Sequence, residues 1–263
     1  MPIEHLKELL DSKVDLYERP EFIAPDPISI PHLYSRRQDI EVAGFLAATI
    51  AWGNRKAIVA KGRQMLDRLG ADPYDFVMSA SEEQIDSLAS FVYRTFQRED
   101  LPSMVRGLRS VFRSSQNQTL EDLFIPAPGE TLRDSIARFR SAMVPSMASR
   151  SLKHIADPAR GAAAKRICMF LRWMVRPATR GVDFGLWKNI SPAQLVIPLD
   201  VHSGRTARTL GLLSRSQDDW KAAALLTDAL RLFSPSDPVR YDFALFSIGI
   251  VEGGVDSTHA PAL

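Results

Sequence analysis

The sequence predicts an all-α protein, and three observations lead to that prediction. Apolar residues recur at the three-to-four residue spacing of helices along most of the 263 residues. No segment shows a convincing alternation of apolar and polar residues, which a half-buried strand requires. Prolines and glycines divide the helical pattern into many short segments separated by turns.

The N-terminal part begins with an amphipathic helix over 3–18, and the prolines that follow predict an extended segment over 20–33. The segment 39–50 is apolar almost all round, which is typical of a buried helix. Trp-Gly-Asn-Arg at 52–55 ends this helix, because glycine suits a left-handed turn. A second helix follows and stops at Gly70.

Residues 72–150 predict a series of short helices. Ser-Glu-Glu-Gln at 81–84 is close to a capping box, and 131–144 has helical apolar spacing. The aromatic residues within 91–96 alternate with a cation, as on some nucleic-acid surfaces, but such a stripe is more often core. We therefore expect these aromatic residues to be buried.

The C-terminal part contains a turn after Asp157 that leads into a strong helix closed by Pro177. The glycines within 178–192 indicate a loop. A further helix is predicted to begin at Asp200, whose carboxylate can cap the N–H groups two and three residues on.

Two more helices complete the predicted fold, one from within 214–220 to Leu232 and one from Asp237. Residues 1–254 are predicted to form a single domain and 255–263 a disordered tail.

The composition limits the class of protein. Hydrophobic residues make up 45% and charged residues 24%, and no segment has the roughly 20 apolar residues of a membrane span. The N-terminus lacks a secretory signal, so we expect a cytoplasmic protein. Cys168 is the single cysteine, which excludes an intramolecular disulfide and a four-cysteine zinc or iron–sulfur site. We expect neither a metal nor a cofactor.

The most informative segment is Ile-Pro-Leu-Asp-Val-His-Ser-Gly-Arg-Thr-Ala-Arg-Thr-Leu-Gly-Leu, residues 197–212. It resembles the Val-Asp-Thr-His-x-x-Arg-x-x-x-Arg-Leu-Gly pattern of the helix-hairpin-helix DNA glycosylases, which include endonuclease III and the archaeal 8-oxoguanine glycosylases. The resemblance implies a two-lobed helical glycosylase-like fold with a central cleft. It also implies that Asp200 is the catalytic carboxylate, and that His202 and Arg205 lie at the DNA or the base pocket.

A second motif precedes Asp200 in the order found in that superfamily. Pro158, Gly161 and Lys165 match parts of the Leu-Pro-Gly-x-Gly-x-Lys-Thr-Ala hairpin, although the tight Gly-x-Gly is lost. The resemblance implies that Lys165 is the nucleophile and that Gly161 and Arg166 approach the DNA. Lys165 and Asp200 are 35 positions apart, which is similar to the spacing in the archaeal branch.

A third position corresponds to the helix end where the superfamily carries a residue that fills the base stack. Trp52, Asn54 and Arg55 occupy it here, and the alternative is a cap and turn between two core helices. The whole chain also resembles a little-characterised bacterial family of glycosylase-like proteins with Trp-Gly-Asn-Arg and Phe-Leu-Arg-Trp-Met-Val-Arg motifs.

The resemblance implies a base-excision repair glycosylase, with AP lyase activity through the lysine. Its partner would be double-stranded DNA with a damaged or abasic nucleotide, and we expect a nucleoid-associated monomer. Two alternatives stay open: a non-catalytic helical module that binds DNA or RNA, and a helical scaffold with an accidental motif match. In both, Lys165 is a solvated first-turn lysine and Asp200 a helix cap.

Overall fold

The computed structural model of the chain describes residues 2–251, and it confirms the all-α fold in that range. No strand forms among the described residues, and only isolated bridges pair Tyr93 with Phe96 and Ala162 with Asp219. None of the described helices is long and apolar enough to cross a bilayer. The predicted tail, 255–263, lies outside the described residues.

The chain divides into two compact units. Unit 1 combines Met1–Phe22 with Arg160–Leu263, and unit 2 is the continuous segment Ile23–Ala159. Unit 1 contains α1 (Ile3–Tyr17), α9 (Lys165–Val175), α10 (Val201–Thr209), α11 (Trp220–Arg231) and α12 (Asp242–Phe246). Unit 2 contains α2 (Arg37–Thr49), α3 (Arg55–Asp67), α4 (Pro73–Ser79), α5 (Glu82–Ser87), α6 (Asp100–Ser114), α7 (Glu121–Phe124) and α8 (Leu132–Met143).

The core of unit 2 forms around α2 and α6. The predicted burial of α2 is confirmed, since every residue from Asp39 to Thr49 is buried. The aromatic side chains of Phe91, Tyr93 and Phe96 are also buried, as expected of core residues.

The proline-rich segment 20–33 differs from the prediction of an extended chain. It forms three short 3₁₀ turns, Pro20–Phe22, Pro27–Ser29 and Pro31–Leu33. Proline has the backbone φ of a first helical residue and needs no N–H partner there. Pro20, Pro27 and Pro31 therefore each open a turn, and the Asp26 carboxylate caps the middle turn by accepting from the Ile28 N–H at 3.1 Å.

The core of unit 1 is built from α1, α10, α11 and α12. Buried side chains from all four helices form one cluster, which includes Leu10, Ala207, Leu226 and Leu245. The apolar stretch before α10 adds Ile197 and Leu199 to the same cluster. This packing fixes the position at which α10 begins.

Helix α11 begins at Trp220, the last residue of the predicted range 214–220, because Asp219 caps it by accepting from the Ala222 N–H at 2.9 Å. The predicted final helix is divided into a 3₁₀ turn (Pro238–Tyr241), α12, and a π-helical turn (Ser247–Val251). The loop predicted within 178–192 is confirmed, with one 3₁₀ turn over Ala178–Arg180.

Candidate active site

The turn before α9 brings Lys165 to the first position of that helix. Gly161 has φ +88° and Ala164 has φ +53°, so the chain passes through two left-handed residues before the helix starts. The Gly161 carbonyl accepts from the Trp220 N–H at 3.0 Å, which attaches the turn to the start of α11. A left-handed alanine costs roughly 1 kcal/mol, and residues in such conformations cluster at functional sites.

The start of α10 holds the second candidate residue. Asp200 is the N-cap, as predicted, and its Oδ1 accepts from the backbone N–H groups of His202 at 2.9 Å and Ser203 at 3.0 Å. The Ser203 hydroxyl in turn accepts from the Asp200 N–H at 2.9 Å, which completes a capping box. Oδ1 of Asp200 therefore caps the helix, whereas Oδ2 takes no part in the cap.

Lys165 and Asp200 meet directly. The Lys165 Nζ lies 3.2 Å from the Asp200 Oδ2, with 30% of the lysine and 25% of the aspartate side chain exposed. Burial opposes ionisation of Asp200, but Lys165 and the two helix N–H groups outweigh it and hold the pKa of Asp200 below its ordinary value. Asp200 is thus a carboxylate at neutral pH, in reach of both solvent and an amine.

This arrangement can perform proton transfer and nucleophilic attack. A lysine is a nucleophile only without its extra proton, and Asp200 Oδ2 is close enough to accept that proton. The same carboxylate can stabilise a positive charge that develops next to it. The alternative role of Lys165 and Asp200 is that of an exposed ion pair, which contributes about 0–1 kcal/mol to the stability of a folded protein.

The other predicted residues of unit 1 lie around this pair. His202 and Arg205 are exposed on α10, and Gly161 is exposed in the turn before α9. Arg166 is half-buried at the second position of α9, and burial lowers the pKa of its guanidinium to about 10. It therefore stays protonated at neutral pH and does not compete with Lys165 as a nucleophile.

Trp52, Asn54 and Arg55 lie in unit 2, where each has a local partner. The Trp52 ring stacks on His154, with ring centroids 5.9 Å apart. Asn54 caps α3 by accepting from the Ala57 N–H at 3.1 Å, and Arg55 pairs with Asp26 at 2.5 Å. The cap-and-turn interpretation therefore describes Asn54 correctly, while a DNA-contacting role of these residues stays a prediction.

Sequence reasoning missed a buried charged layer beside the pair. Arg172 in α9 donates to Asp242 at the start of α12 over 2.5 Å, and its Nε lies 3.4 Å from Asp183. Burial raises the pKa of the Asp242 carboxyl, and Arg172 opposes that shift without cancelling it. The available signal was charge inside apolar runs, Phe-Leu-Arg-Trp around Arg172 and Tyr-Asp-Phe-Ala around Asp242.

The described part of the chain contains no cluster of three or more histidine, cysteine or acidic side chains suited to a metal ion. Cys168 is buried, and burial raises the pKa of its thiol to about 12, so it is not a nucleophile. The groups that meet at the start of α9 and α10 are the Lys165 amine and the Asp200 carboxylate.

Comparison with protein families gave one match, over residues 26–251, to a family described as a protein of unknown function, DUF2400. No curated protein and no solved structure matched the chain significantly.

Proposed function

The chain belongs to the DUF2400 family, and we propose that it is a DNA glycosylase with lyase activity, in which Lys165 is the nucleophile and Asp200 the catalytic carboxylate. The observation that carries the proposal is the 3.2 Å contact between the Lys165 amine and the Asp200 carboxylate. Two helix starts far apart in sequence bring these groups together in a position open to solvent. The match to the two glycosylase motifs supports the same pair.

The proposed reaction follows from the chemistry of the pair. Lys165 gives a proton to Asp200 Oδ2, and its freed electron pair attacks the C1′ carbon of the sugar. The bond from C1′ to the base nitrogen breaks, the base leaves with the electrons of that bond, and protonated Asp200 returns its proton to the base. Asp200, ionised again by this transfer, stabilises the positive charge left on the sugar and the attached amine. Opening of the sugar ring then gives an imine between Lys165 and C1′, which permits strand cleavage by β-elimination.

The substrate of the proposed reaction is a nucleotide turned out of a duplex. A base inside the helix is out of reach of a partly buried amine, and flipping costs a few kcal/mol, least for damaged bases. Exposed His202 and Arg205 on α10 are suited to contact the DNA around such a nucleotide, Arg205 through a phosphate. Double-stranded DNA with a damaged or abasic nucleotide is therefore the proposed partner.

Borohydride trapping tests the proposal. The imine between Lys165 and an abasic or damaged duplex is reduced to a stable protein–DNA adduct, which a denaturing gel detects. We expect wild type to form the adduct and Lys165→Gln to form none. Lys221→Gln is the matched control, because Lys221 is an exposed lysine in the first turn of α11 and should not affect trapping.

The results separate the proposal from its alternatives. Equal trapping by wild type and Lys165→Gln would show that another residue is the nucleophile. Salt-sensitive DNA binding without trapping on any substrate would favour the non-catalytic binding module. Neither binding nor trapping would favour a helical scaffold.

A further inference from the structure

The loop between α10 and α11 contacts the helix that begins with Asp200. We call this loop, residues 210–219, the brace loop. The Arg208 guanidinium of α10 donates to the Asp218 carboxylate over 2.5 Å and to the Arg215 carbonyl oxygen at 2.7 Å. Because one planar side chain binds the loop at two points, it fixes both the position and the direction of the loop relative to α10.

Gly204 shows that this contact reaches the first turn of α10. A Cβ at that position would lie 2.5 Å from the Asp218 Oδ1 and 3.0 Å from the Arg208 Nη1. The Gly204 N–H itself donates to the Asp200 carbonyl oxygen at 2.8 Å. The pair of Arg208 and Asp218 therefore packs over the helical turn that Asp200 begins.

The other end of the brace loop contacts the turn that leads to Lys165. Asp219 pairs with Ala162 in an isolated antiparallel bridge. Beside this bridge, the Trp220 N–H donates to the Gly161 carbonyl oxygen at 3.0 Å. These backbone contacts lie three and four residues before the lysine, so the brace loop connects α10 to the turn that carries the proposed nucleophile.

The conformation of Ala164, directly before Lys165, requires support of this kind. Its φ of +53° is unfavourable for a residue with a Cβ, and no side-chain hydrogen bond caps the helix that it precedes. Residues in such conformations persist where the surrounding structure holds them. The backbone contacts of the brace loop are support of that kind, and they fix the direction in which the chain enters α9.

We propose that Arg208 and Asp218 are positioning residues, which hold the turn that carries Lys165 in register with α10. The 3.2 Å contact between the Lys165 amine and the Asp200 carboxylate depends on this register, because the two groups begin separate helices. The proposal rests on the roles of Lys165 and Asp200 proposed above. Arg208 and Asp218 act through the backbone of the brace loop and not through the substrate.

Amide hydrogen exchange of the full-length protein, followed by NMR, tests this role without DNA. We expect Arg208→Gln and Asp218→Asn each to speed exchange of the Trp220 N–H by about tenfold or more, because its hydrogen bond joins the brace loop to the lysine turn. The amide of Leu226, inside α11, should keep its wild-type exchange rate and so report that the variants are folded. Asp218→Asn changes only the charge of a partly exposed side chain, so the test remains if Arg208→Gln does not fold.

Arg231→Gln is the matched control. Arg231 of α11 also pairs with an aspartate, Asp228, and also donates to a backbone carbonyl, that of Ala193 at 3.1 Å. None of these residues belongs to the brace loop or to the lysine turn, so this variant should change neither the Trp220 exchange rate nor trapping.

Single-turnover trapping links the brace loop to the proposed reaction. In Asp218→Asn we expect the trapping rate at saturating abasic-site duplex to fall by about 10- to 100-fold, with Kd within about twofold of wild type, since small displacements of reacting groups have effects of this size. Loss of affinity with an unchanged trapping rate at saturation would identify a DNA contact and overturn the positioning role. Arg208→Gln combined with Asp218→Asn should have no larger effect than the stronger single variant, because both remove one pair.

The two measurements distinguish failure of this inference from failure of the proposed function. A wild-type exchange rate of the Trp220 N–H in folded Asp218→Asn and Arg208→Gln would overturn the inference, whatever the trapping result. Absence of trapping in the wild-type protein would reject the glycosylase, while hydrogen exchange would still decide whether the pair holds the lysine turn.

Discussion

Asp200 combines two roles in one side chain. Its Oδ1 accepts from two backbone N–H groups at the start of α10, and its Oδ2 contacts the Lys165 amine. Capping holds the carboxylate in a fixed orientation, so that its free oxygen is directed at the lysine without further support. A residue needed for the helix is thereby also placed for chemistry.

The pH dependence of stability tests the charge on Asp200. Its pKa is lowered in the folded protein, so ionised Asp200 stabilises the fold above the unfolded value of about 3.9. This contribution is lost as the pH falls through the lower, folded-state pKa. We expect the difference in unfolding free energy between wild type and Asp200→Asn to be constant near neutral pH and to shrink only below about pH 4.

Asparagine keeps the capping acceptor, so Asp200→Asn should cost about 1 kcal/mol or less near neutral pH, and Asp200→Ala more. Urea unfolding at a series of pH values measures both variants. A difference that already declined between pH 6 and 7 would contradict a lowered pKa. Trapping should fall by orders of magnitude in Asp200→Asn, because the charge is lost although the helix is retained.

Local patterns predicted the position of both proposed reacting groups and not their surroundings. Asp200 follows an apolar turn and precedes a helical stripe, so its capping role was readable from neighbours in sequence. Asp242 and Arg172 meet only because α9 and α12 pack together, 70 residues apart. The spacing of residues in one sequence contains no information on such a contact. The only sequence signal of it is a charged residue within each of two apolar runs.

At the scale of elements, the Leu-Gly-Leu end of the main motif shows how α10 terminates. Gly211 has φ +74°, and the Leu212 N–H donates to the Ala207 carbonyl at 2.8 Å, which is the long bond of a Schellman motif. The ten residues before α11 were harder to predict. Arg208 donates to the Arg215 carbonyl at 2.7 Å, and this side-chain contact holds as a loop a segment whose serines and aspartates suggest a helix start.

Gly249 lies in the π-helical turn and packs against α10. Its substitution tests how closely the turn and the helix must approach each other. A Cβ at this position would lie 2.7 Å from the Thr206 Oγ1 and 3.4 Å from the His202 carbonyl oxygen. We expect Gly249→Ala to destabilise the protein by about 1–3 kcal/mol and to reduce trapping, because Thr206 on α10 must shift.

Thr206→Ala provides the matched control, since it removes the nearer of the two atoms. The double variant should be less destabilised than the sum of the single variants, as measured by a double-mutant cycle on urea unfolding. Additive effects would show that the close approach to Thr206 is not the cause.

At the scale of the whole molecule, unit 2 is continuous in sequence and unit 1 is not. Residues 23–159 contain their own buried core, with Phe45, Leu108 and Phe139 fully or almost fully shielded. We expect this fragment to fold alone and to unfold cooperatively when its helical circular dichroism is followed with temperature. A gradual loss of signal without a transition would contradict an independent core.

The net charge of +2 is small, so the proposed DNA binding requires cations placed at the interface rather than a high overall charge. Arg205 is exposed on α10, near the capping aspartate, and forms no ion pair within the part of the chain that the structure describes. We expect affinity for an abasic-site duplex to fall steeply with salt, because each phosphate contact releases condensed counterions. Arg205→Gln should weaken binding and reduce the slope of log affinity against log salt by about 1.

Arg63→Gln makes the same charge change on an exposed helix position of unit 2 and should leave that slope unchanged. Fluorescence anisotropy across a salt series measures both slopes. A flat dependence in wild type would exclude phosphate contacts as the source of affinity, and equal slopes for Arg205→Gln and wild type would remove Arg205 from the interface.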